Sequence, residues 1–381
     1  MKIKNETSDI LYYSIDKKDF INEIYAFEKA GSFELDSYYN FLSNGINTLR
    51  RPGTYKYFLG LAAIPPGTIV NTENDYYEII SPVKKYKIDY SKSISELFKE
   101  IKVILDAFKN KRIGVELSGG LDSSLIIESL LKFGIEPVLI GFSSEKFEFR
   151  TERIIQKIYE KKVKESLLLK YEDNFAFDNL KETPIHPIPV TESHFFNRHL
   201  TVAKKAKEYN IDILLSGEAG DQLLSFPNNC VQGSILPTEY SYWCLAEQWS
   251  NQYVFQTLGV NYLSGMALGP LPSIIKSLRG IQPWDPMKLW ARKYFKKCLP
   301  RELSDFAYTA FHNGWVADGL NNASETIEEI SDLVFKQTKI CDLSPQKMKL
   351  QSKIYATLDD EKRKLFLLNL AFISWYYSIN K

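Results

Sequence analysis

The sequence predicts an α/β protein built on a parallel sheet with helices on both faces. Apolar runs of strand length alternate with amphipathic helical patterns between residues 113 and 215, the arrangement of successive β-α-β units. Two of these runs end in small and acidic residues, at Ser118-Gly119-Gly120 and at Ser216-Gly217-Glu218. Ligands of such sheets bind beyond the carboxyl ends of the strands, so we expect the site at these two turns.

Each element of this region has its own local signal. Strands are short, apolar and bounded by glycine, proline or charged residues, whereas helices place apolar residues three and four positions apart. A helix with such a stripe over residues 91–110 precedes the first strand of the sheet. The predicted order is then strand to Leu117, helix Leu121 to Lys132, strand Pro137 to Phe142, helix Glu152 to Tyr159, strand Glu165 to Leu169, helix Ser193 to Tyr209 and strand Ile211 to Leu215.

The 381 residues accommodate one large and one small domain. Residues 1–90 are tyrosine-rich, with strand-like segments separated by turns, and predict a small α+β domain. Residues 91–381 form the main domain, whose last part, 349–377, has a helical pattern with an apolar face. We therefore expect a small N-terminal unit, the α/β domain and a helical C-terminal region.

Composition excludes several classes of function. The 48 basic residues balance 47 acidic ones, so no global field attracts nucleic acid, and an RNA-modifying enzyme would need a local basic patch. The four cysteines form no Cys-x-x-Cys pair, which argues against a zinc site. No apolar run reaches membrane-spanning length and no signal peptide is evident. We expect a cytoplasmic protein without membrane or nucleic-acid partners.

The stretch from Gly114 to Ile126 is the strongest functional signal. Two glycines after a strand allow a tight turn, and the following helix directs unpaired N–H groups into it, which suits phosphate. Hydroxyls of Ser118 and Ser123 add donors, while Asp122 fits a Mg²⁺ that accompanies the phosphate. The Walker lysine and the dinucleotide-binding glycine pattern are both absent. The plainer alternative is an ordinary strand-to-helix turn capped by serine.

The segment Ser-Gly-Gly-Leu-Asp-Ser-Ser, from Ser118 to Ser124, resembles the pyrophosphate loop of the N-type ATP pyrophosphatases, which split ATP between the α and β phosphates. These enzymes include GMP synthetase, NAD synthetase, tRNA-modifying enzymes and asparagine synthetases. The second turn, Ser216 to Leu223, is similar to the Ser-Gly-Glu-Gly-Ala-Asp-Glu-Leu segment of the asparagine synthetase family. Together the two turns resemble that family more closely than other members of the superfamily.

The resemblance implies the family's fold, an adenine nucleotide alpha hydrolase-like synthetase domain, and its use of ATP with Mg²⁺. It also implies roles for individual residues. Those that would bind ATP are Ser118, Gly119, Gly120, Asp122, Ser123, Ser216, Gly217 and Ile140. Ile140 lies in the counterpart of the strand whose backbone contacts adenine in the family. Asp122 and Asp221 would bind the metal, and Glu218 would face the acceptor as an acid or base.

The chain also departs from the family. Leu35-Asp36 and Pro65-Pro66-Gly67 resemble the end of the glutaminase domain, yet Met1 is followed by lysine and not by the cysteine nucleophile. We therefore expect a docking domain without glutamine hydrolysis. The family's C-terminal catalytic lysine has no evident counterpart. Tyr308 stands near its place as a catalytic candidate, and Arg301, Lys297 and Arg292 are the alternatives. Glu116 replaces a residue that is usually apolar.

The implied reaction is adenylation of a carboxylate, with release of pyrophosphate, followed by attack of an amine and release of AMP. The substrate would be a small-molecule or peptide carboxylate, and a partner protein could supply it or ammonia. Specialised amidation or lactam formation, such as lasso peptide cyclisation, is favoured over asparagine synthesis proper. The alternatives are a non-catalytic nucleotide-binding subunit and a tRNA-modifying pyrophosphatase.

Overall fold

The computed structural model describes the α/β part of the chain, most of the C-terminal third and parts of the N-terminal region. The described residues comprise 2–5, 11–14, 19–21, 38–39, 61–64, 68–71, 76–79, 102, 106, 108, 110–146, 149–175, 177–182, 196–218, 220–225, 254–266, 285, 287–305 and 313–380.

A five-stranded parallel sheet forms the centre of the described structure. Its strands are β7 (Ile113–Glu116), β8 (Val138–Ser143), β9 (Ser166–Lys170), β10 (Ile213–Ser216) and β11 (Asn261–Ser264). Their spatial order is β11-β10-β7-β8-β9, and every neighbouring pair is parallel. The predicted parallel sheet is confirmed.

The strand order reverses between β7 and β10. From β7 the chain adds β8 and β9 outward on one side, then returns to place β10 on the other side of β7. Connections leave β7 and β10 in opposite directions, so a crevice opens beyond the carboxyl ends of these two strands. The two turns singled out in the sequence follow these same two strands.

Both faces of the sheet are buried, because successive strand residues point to opposite sides. In β10, Ile213 and Leu215 belong to one apolar core and Leu214 to a second. In β8, Leu139 faces the first core while Val138 and Ile140 face the second. Continuous apolar strands are expected of a parallel sheet covered on both sides.

Helices supply the other half of each core. The first core is closed by α1 (Leu121–Lys132), α2 (Arg150–Glu160), α4 (Gly220–Leu224), α5 (Leu289–Tyr294) and α6 (Arg301–Asp305). The second is closed by α3 (Phe196–Glu208), α7 (Asn313–Asn322), α8 (Ser324–Thr338), α9 (Pro345–Lys353) and α10 (Asp360–Ile379).

The predicted helical end of the chain consists of two helices. Residues 354–359 separate α9 from α10 and contain a short 3₁₀ turn at Tyr355–Thr357. Asp359 then caps α10, since its side chain accepts a hydrogen bond from the backbone N–H of Lys362 at 2.9 Å. The apolar face of α10 is core, as expected. None of the helices within the described residues is both long and apolar enough to cross a membrane.

The described N-terminal strands form two antiparallel sheets of three strands each. One has the order β1-β5-β6 and the other β3-β2-β4. The predicted helix over 91–110 lies almost entirely outside the described residues. The six strands are β1 (Lys2–Asn5), β2 (Leu11–Ser14), β3 (Asp19–Ile21), β4 (Leu61–Ile64), β5 (Thr68–Asn71) and β6 (Tyr76–Ile79).

Candidate functional site

The loop after β7 is built around Gly119 and Gly120. Gly119 has φ +84°, and a Cβ there would lie 2.7 Å from the backbone oxygen of Glu152, so both its dihedral and its surroundings require glycine. Gly120 is the N-cap residue of α1, and no side chain caps this helix. The twelve-residue helix therefore presents its positive end to the loop, as a phosphate site requires.

Serine hydroxyls hold this loop in shape. The Oγ of Ser118 accepts from Gly120 N at 3.1 Å and lies 3.0 Å from the Oγ of Ser123. Ser124 Oγ donates to the carbonyl of Gly120 at 2.7 Å. Ser123 and Ser124 are buried, whereas Ser118 is exposed. The described contacts thus make Ser123 and Ser124 part of the loop's own framework, with Ser118 on its open side.

Gln156 connects this loop to the neighbouring strand. Its Nε2 donates to the carbonyl of Phe142 at 2.6 Å and lies 3.4 Å from the carbonyl of Leu117. One buried amide on α2 thereby spans the carboxyl ends of β7 and β8. Leu117 N adds a further bond, of 2.7 Å, to the carbonyl of Ile140.

The loop after β10 packs directly on the first turn of α1. A Cβ on Gly217 would lie 2.9 Å from the backbone nitrogen of Ser123, and one on Gly220 would lie 2.2 Å from Cγ of Asp122. Small residues at these two positions therefore let the two loops touch. The structure brings together the two turns that the sequence proposed as one site.

Asp122 meets a lysine that the sequence did not reveal. Its Oδ2 lies 2.5 Å from Nζ of Lys288, and both side chains are largely buried. Lys288 directly precedes α5 and has a left-handed backbone (φ 54°), which is uncommon for lysine. The segment is anchored to the end of α4, because Trp290 Nε1 donates to the carbonyl of Leu224 at 2.7 Å and Asp285 N donates to that of Ser225.

Glu218 belongs to a buried polar cluster with residues from three other elements. The hydroxyl of Tyr262, on β11, donates to Glu218 Oε1 at 2.9 Å and lies 3.5 Å from Glu116 Oε2. Arg198, on α3, donates to Glu116 Oε1 at 2.8 Å. Burial raises the pKa of Tyr262 well above its ordinary value, and the carboxylates of Glu218 and Glu116 raise it further, so the phenol remains a donor.

The remaining candidates differ in how far the structure describes them. Ser216 is buried, and its Oγ accepts from Glu218 N at 3.3 Å. Ile140 is fully buried within β8, three residues before its end, so its contact with adenine stays a prediction. Asp221 is the second residue of α4. Tyr308 lies outside the described residues.

The predicted magnesium ion would be one that also binds phosphate. The described part of the chain contains no group of three or more His, Cys, Asp or Glu residues placed to hold a metal alone. Mg²⁺ in nucleotide sites is usually held by one or two carboxylates together with the phosphates. Asp122 offers one such carboxylate at the loop after β7, and the metal role of Asp221, a residue of the adjoining α4, stays a prediction.

Comparison with known proteins adds one positive finding. Residues 103–225 match the family model of asparagine synthase. The matched range contains both loops, the strands β7 to β10 and the helices between them. No curated protein sequence matches the chain. Residues 103–225 are therefore similar to an asparagine synthase domain, which supports the resemblance that the two turns show to the asparagine synthetase family, whose type of reaction is ATP-dependent amide ligation.

Proposed function

We propose that this chain adenylates a substrate carboxylate with ATP and transfers the acyl group to an amine or ammonia, without hydrolysing glutamine. The observation that supports the proposal most strongly is the contact between the two loops at the topological switch point, where Gly220 packs against Asp122. Glu218 follows β10 in the second of these loops. In this proposal the loop after β7 binds ATP, and the loop after β10 faces the acceptor amine.

In the first half-reaction a carboxylate oxygen attacks the α phosphorus of ATP. A new P–O bond forms, the bond to the β phosphate breaks, and pyrophosphate leaves with the electron pair. The N–H groups at the start of α1 and the ammonium of Lys288 lie where the chain can offset the charge of the leaving group. Asp122 and Asp221 would hold Mg²⁺, which when bound neutralises further phosphate charge.

In the second half-reaction an amine nitrogen attacks the acyl carbon, and AMP leaves as the amide bond forms. The attacking nitrogen must lose a proton, and Glu218 is the carboxylate placed to accept it. Tyr262 donates to one oxygen of Glu218 and so orients the carboxylate. Specialised amidation, including lactam or macrolactam closure, remains our preferred outcome because the glutaminase nucleophile is missing from residues 1–90.

The direct test is release of pyrophosphate and AMP from ATP and MgCl₂ by the purified chain. The panel comprises aspartate, other amino-acid-derived diacids, uronic acids and peptides, each with and without ammonium. We expect pyrophosphate release that depends on one class of carboxylate. Asp122→Ala and Asp221→Ala should abolish that release, while Asp332→Ala, an ion-paired acid on α8, should not.

The opposite result is equally informative. If no carboxylate stimulates pyrophosphate release although the chain binds ATP, the chain is a nucleotide-binding subunit and not a complete ligase. Full activity in both Asp122→Ala and Asp221→Ala would also contradict the proposal. Circular dichroism and urea unfolding of each variant separate loss of chemistry from loss of fold.

A further inference from the structure

We propose that the buried ion pair of Glu116 and Arg198 is a positioning device for Glu218, acting through the hydroxyl of Tyr262 on the amine-attack step. The inference rests on the proposed function, in which Glu218 accepts the proton of the attacking amine. Glu116, Arg198 and Tyr262 were not predicted as site residues. Glu116 stood out in the sequence only because the family usually has an apolar residue there.

The four side chains come from separate elements that meet at the carboxyl ends of the strands. Glu116 ends β7, Arg198 lies on α3, Tyr262 lies on β11, and Glu218 follows β10. Glu116 and Arg198 are 8% and 13% exposed, so both charges are almost wholly removed from water. Burying an ion pair gives little net stability compared with apolar residues. Its position beside Glu218 indicates a role other than stability.

The ion pair determines which carboxylate receives the phenol proton of Tyr262. A hydroxyl has one proton, and Tyr262 lies close to two carboxylates, 2.9 Å from Glu218 and 3.5 Å from Glu116. Because Arg198 donates to Glu116 at 2.8 Å, that carboxylate has a charged donor of its own. Tyr262 is then available to Glu218.

Packing fixes both donors in place. The ring of Tyr262 stacks on Phe255 with centroids 4.3 Å apart, and the guanidinium of Arg198 lies 5.3 Å from the centroid of the Phe142 ring. His199 contacts the edges of both Phe255 and Tyr262. Rotation of Tyr262 away from Glu218 is therefore blocked by neighbours on two sides.

The charges predict opposite effects for the two halves of the pair. Arg198→Met leaves two carboxylates around one phenol, which favours a proton on one of them and raises the pKa of Glu218. Glu116→Gln leaves the guanidinium uncompensated, which lowers the pKa of Glu218. The other titratable groups around the cluster, unchanged in both variants, are His199 beside Tyr262 and Tyr171, Glu152 and Glu172 on the side of Arg198.

The experiment compares two acceptors in the same assay. ATP, MgCl₂ and the carboxylate that the wild type activates are supplied with either hydroxylamine or ammonium chloride, or with a peptide's own amine where the donor is a peptide. Hydroxylamine is mainly neutral at pH 8 and traps an acyl-adenylate as a hydroxamate without prior loss of a proton. Ammonium must lose a proton before it can attack, whereas the nitrogen of neutral hydroxylamine loses its proton to solvent after the attack. Amide formation therefore depends on Glu218 as a base much more than hydroxamate formation does.

We expect Arg198→Met and Tyr262→Phe to keep hydroxamate formation near the wild-type rate but to lower amide formation at least about 10-fold, a part of what general-base catalysis supplies. The acidic limb of the amide pH profile should move to higher pH in Arg198→Met and to lower pH in Glu116→Gln. The matched control is Glu165→Gln, which breaks the exposed pair with Arg112 at the other end of β7 and should change neither reaction.

Three results would overturn the inference: equal losses of hydroxamate and amide, unshifted pH limbs, or wild-type activity in Arg198→Met. Where a single variant fails to fold, the double variant Glu116→Leu with Arg198→Met removes both charges together and should fold. It should still form hydroxamate and should keep amide formation close to the wild-type rate, because Glu116 no longer competes with Glu218 for the phenol proton; a double variant that loses amide formation would contradict the inference. A wild-type chain that forms no hydroxamate from any carboxylate contradicts the proposed function itself, which distinguishes the two failures.

Discussion

The ammonium group of Lys288 lies 2.5 Å from Oδ2 of Asp122, the aspartate of the Ser-Gly-Gly-Leu-Asp-Ser-Ser loop. These residues are 166 positions apart in the sequence and come together because α5 is anchored to the end of α4. The pair balances the charge of a carboxylate that the proposed mechanism needs for magnesium. Lys288 thereby becomes a residue of the candidate nucleotide site.

Replacing Lys288 by Met should affect both stability and nucleotide binding. Asp122 would be left buried without its cation, so we expect the free energy of unfolding to fall by about 2–3 kcal/mol, below the usual cost for a fully buried pair because Asp122 is 18% exposed. Loss of a positive charge near the phosphates should also weaken ATP binding. Urea unfolding with and without MgCl₂ and ATP measures both effects.

The control for this variant addresses its backbone as well as its charge. Lys339 also has a left-handed φ, of 58°, but its side chain is exposed at the end of α8. Lys339→Met should leave ATP binding unchanged, and Lys288→Arg should retain part of it. Equal ATP affinity in wild type and Lys288→Met would remove Lys288 from the site.

Gly220→Ala should disrupt the junction of the two loops. The added Cβ would overlap the carboxyl carbon of Asp122 at 2.2 Å, and in a packed site that overlap must displace either Asp122 or the start of α4. We expect carboxylate-dependent pyrophosphate release to fall more than 10-fold, since about 1.4 kcal/mol of transition-state stabilisation is worth that factor. Steady-state assays at saturating ATP provide the measurement.

Gly134 provides the matched comparison. It has φ +74°, and no described atom outside its chain neighbours lies within 4 Å of the position that an added Cβ would take. Gly134→Ala therefore adds backbone strain without a clash. It should lower the free energy of unfolding by about 1 kcal/mol while leaving activity intact. Parallel losses of activity in both variants would show that stability, and not the position of Asp122, limits the reaction.

Local sequence patterns were sufficient to predict four strands of the sheet and the two loops. Helix α1 has the predicted bounds, and β7 to β10 begin and end within a few residues of their expected positions, whereas β11 was not predicted. Apolar runs bounded by glycine and charge are short-range signals, and burial on both faces of a parallel sheet preserves them. Gly119 and Gly217 could be predicted as site residues because close backbone approach restricts such positions to the smallest residue, whereas the role of Gly220 emerged only from the structure.

Residues that reach the site from distant elements could not be predicted in this way. Lys288 lies in a lysine-rich helical stretch in which no pattern separates it from solvent-exposed neighbours. Arg198 lies on a helix with many other polar and charged residues, and Tyr262 lies on a short strand of mixed polarity, so neither residue stands out from its neighbours. Glu116 offered the one usable signal, since a carboxylate at the end of a buried strand requires a partner, but the sequence could not identify Arg198 as that partner.

Glu152 predicts a stability effect whose sign depends on pH. Burial raises the pKa of its carboxyl, and its Oε2 makes no hydrogen bond to any described residue. The folded state therefore keeps a proton that the unfolded state loses near its ordinary pKa of about 4.3. Stability should fall as pH rises through this range, and the penalty should persist at neutral pH.

Glu152→Gln should consequently be more stable than the wild type at pH 7, and the gain should disappear below about pH 4. Glu325→Gln offers the opposite case, because hydrogen bonding to Lys349 lowers the pKa of that exposed carboxyl. It should be slightly less stable than wild type at pH 7 and equal to it in acid. Urea unfolding across pH 3.5–7.5 tests both signs, and a destabilised Glu152→Gln at pH 7 would contradict this account.

Tyr38 links the N-terminal region to the C-terminal helix α10. Its hydroxyl donates to Asn369 Oδ1 at 2.8 Å, and its ring meets Phe372 edge-on with centroids 4.9 Å apart. Asn369 is buried, so Tyr38→Phe leaves its amide oxygen without this donor and should lower the free energy of unfolding by about 1–3 kcal/mol.

The exposed neighbour Tyr39 is the control, and the stability of Tyr39→Phe should stay within about 0.5 kcal/mol of wild type. Adding Asn369→Leu to Tyr38→Phe removes both polar groups and should recover most of the loss in urea unfolding. A double variant as unstable as the sum of the single changes would mean that the two side chains are not coupled and that the N-terminal region does not depend on this contact.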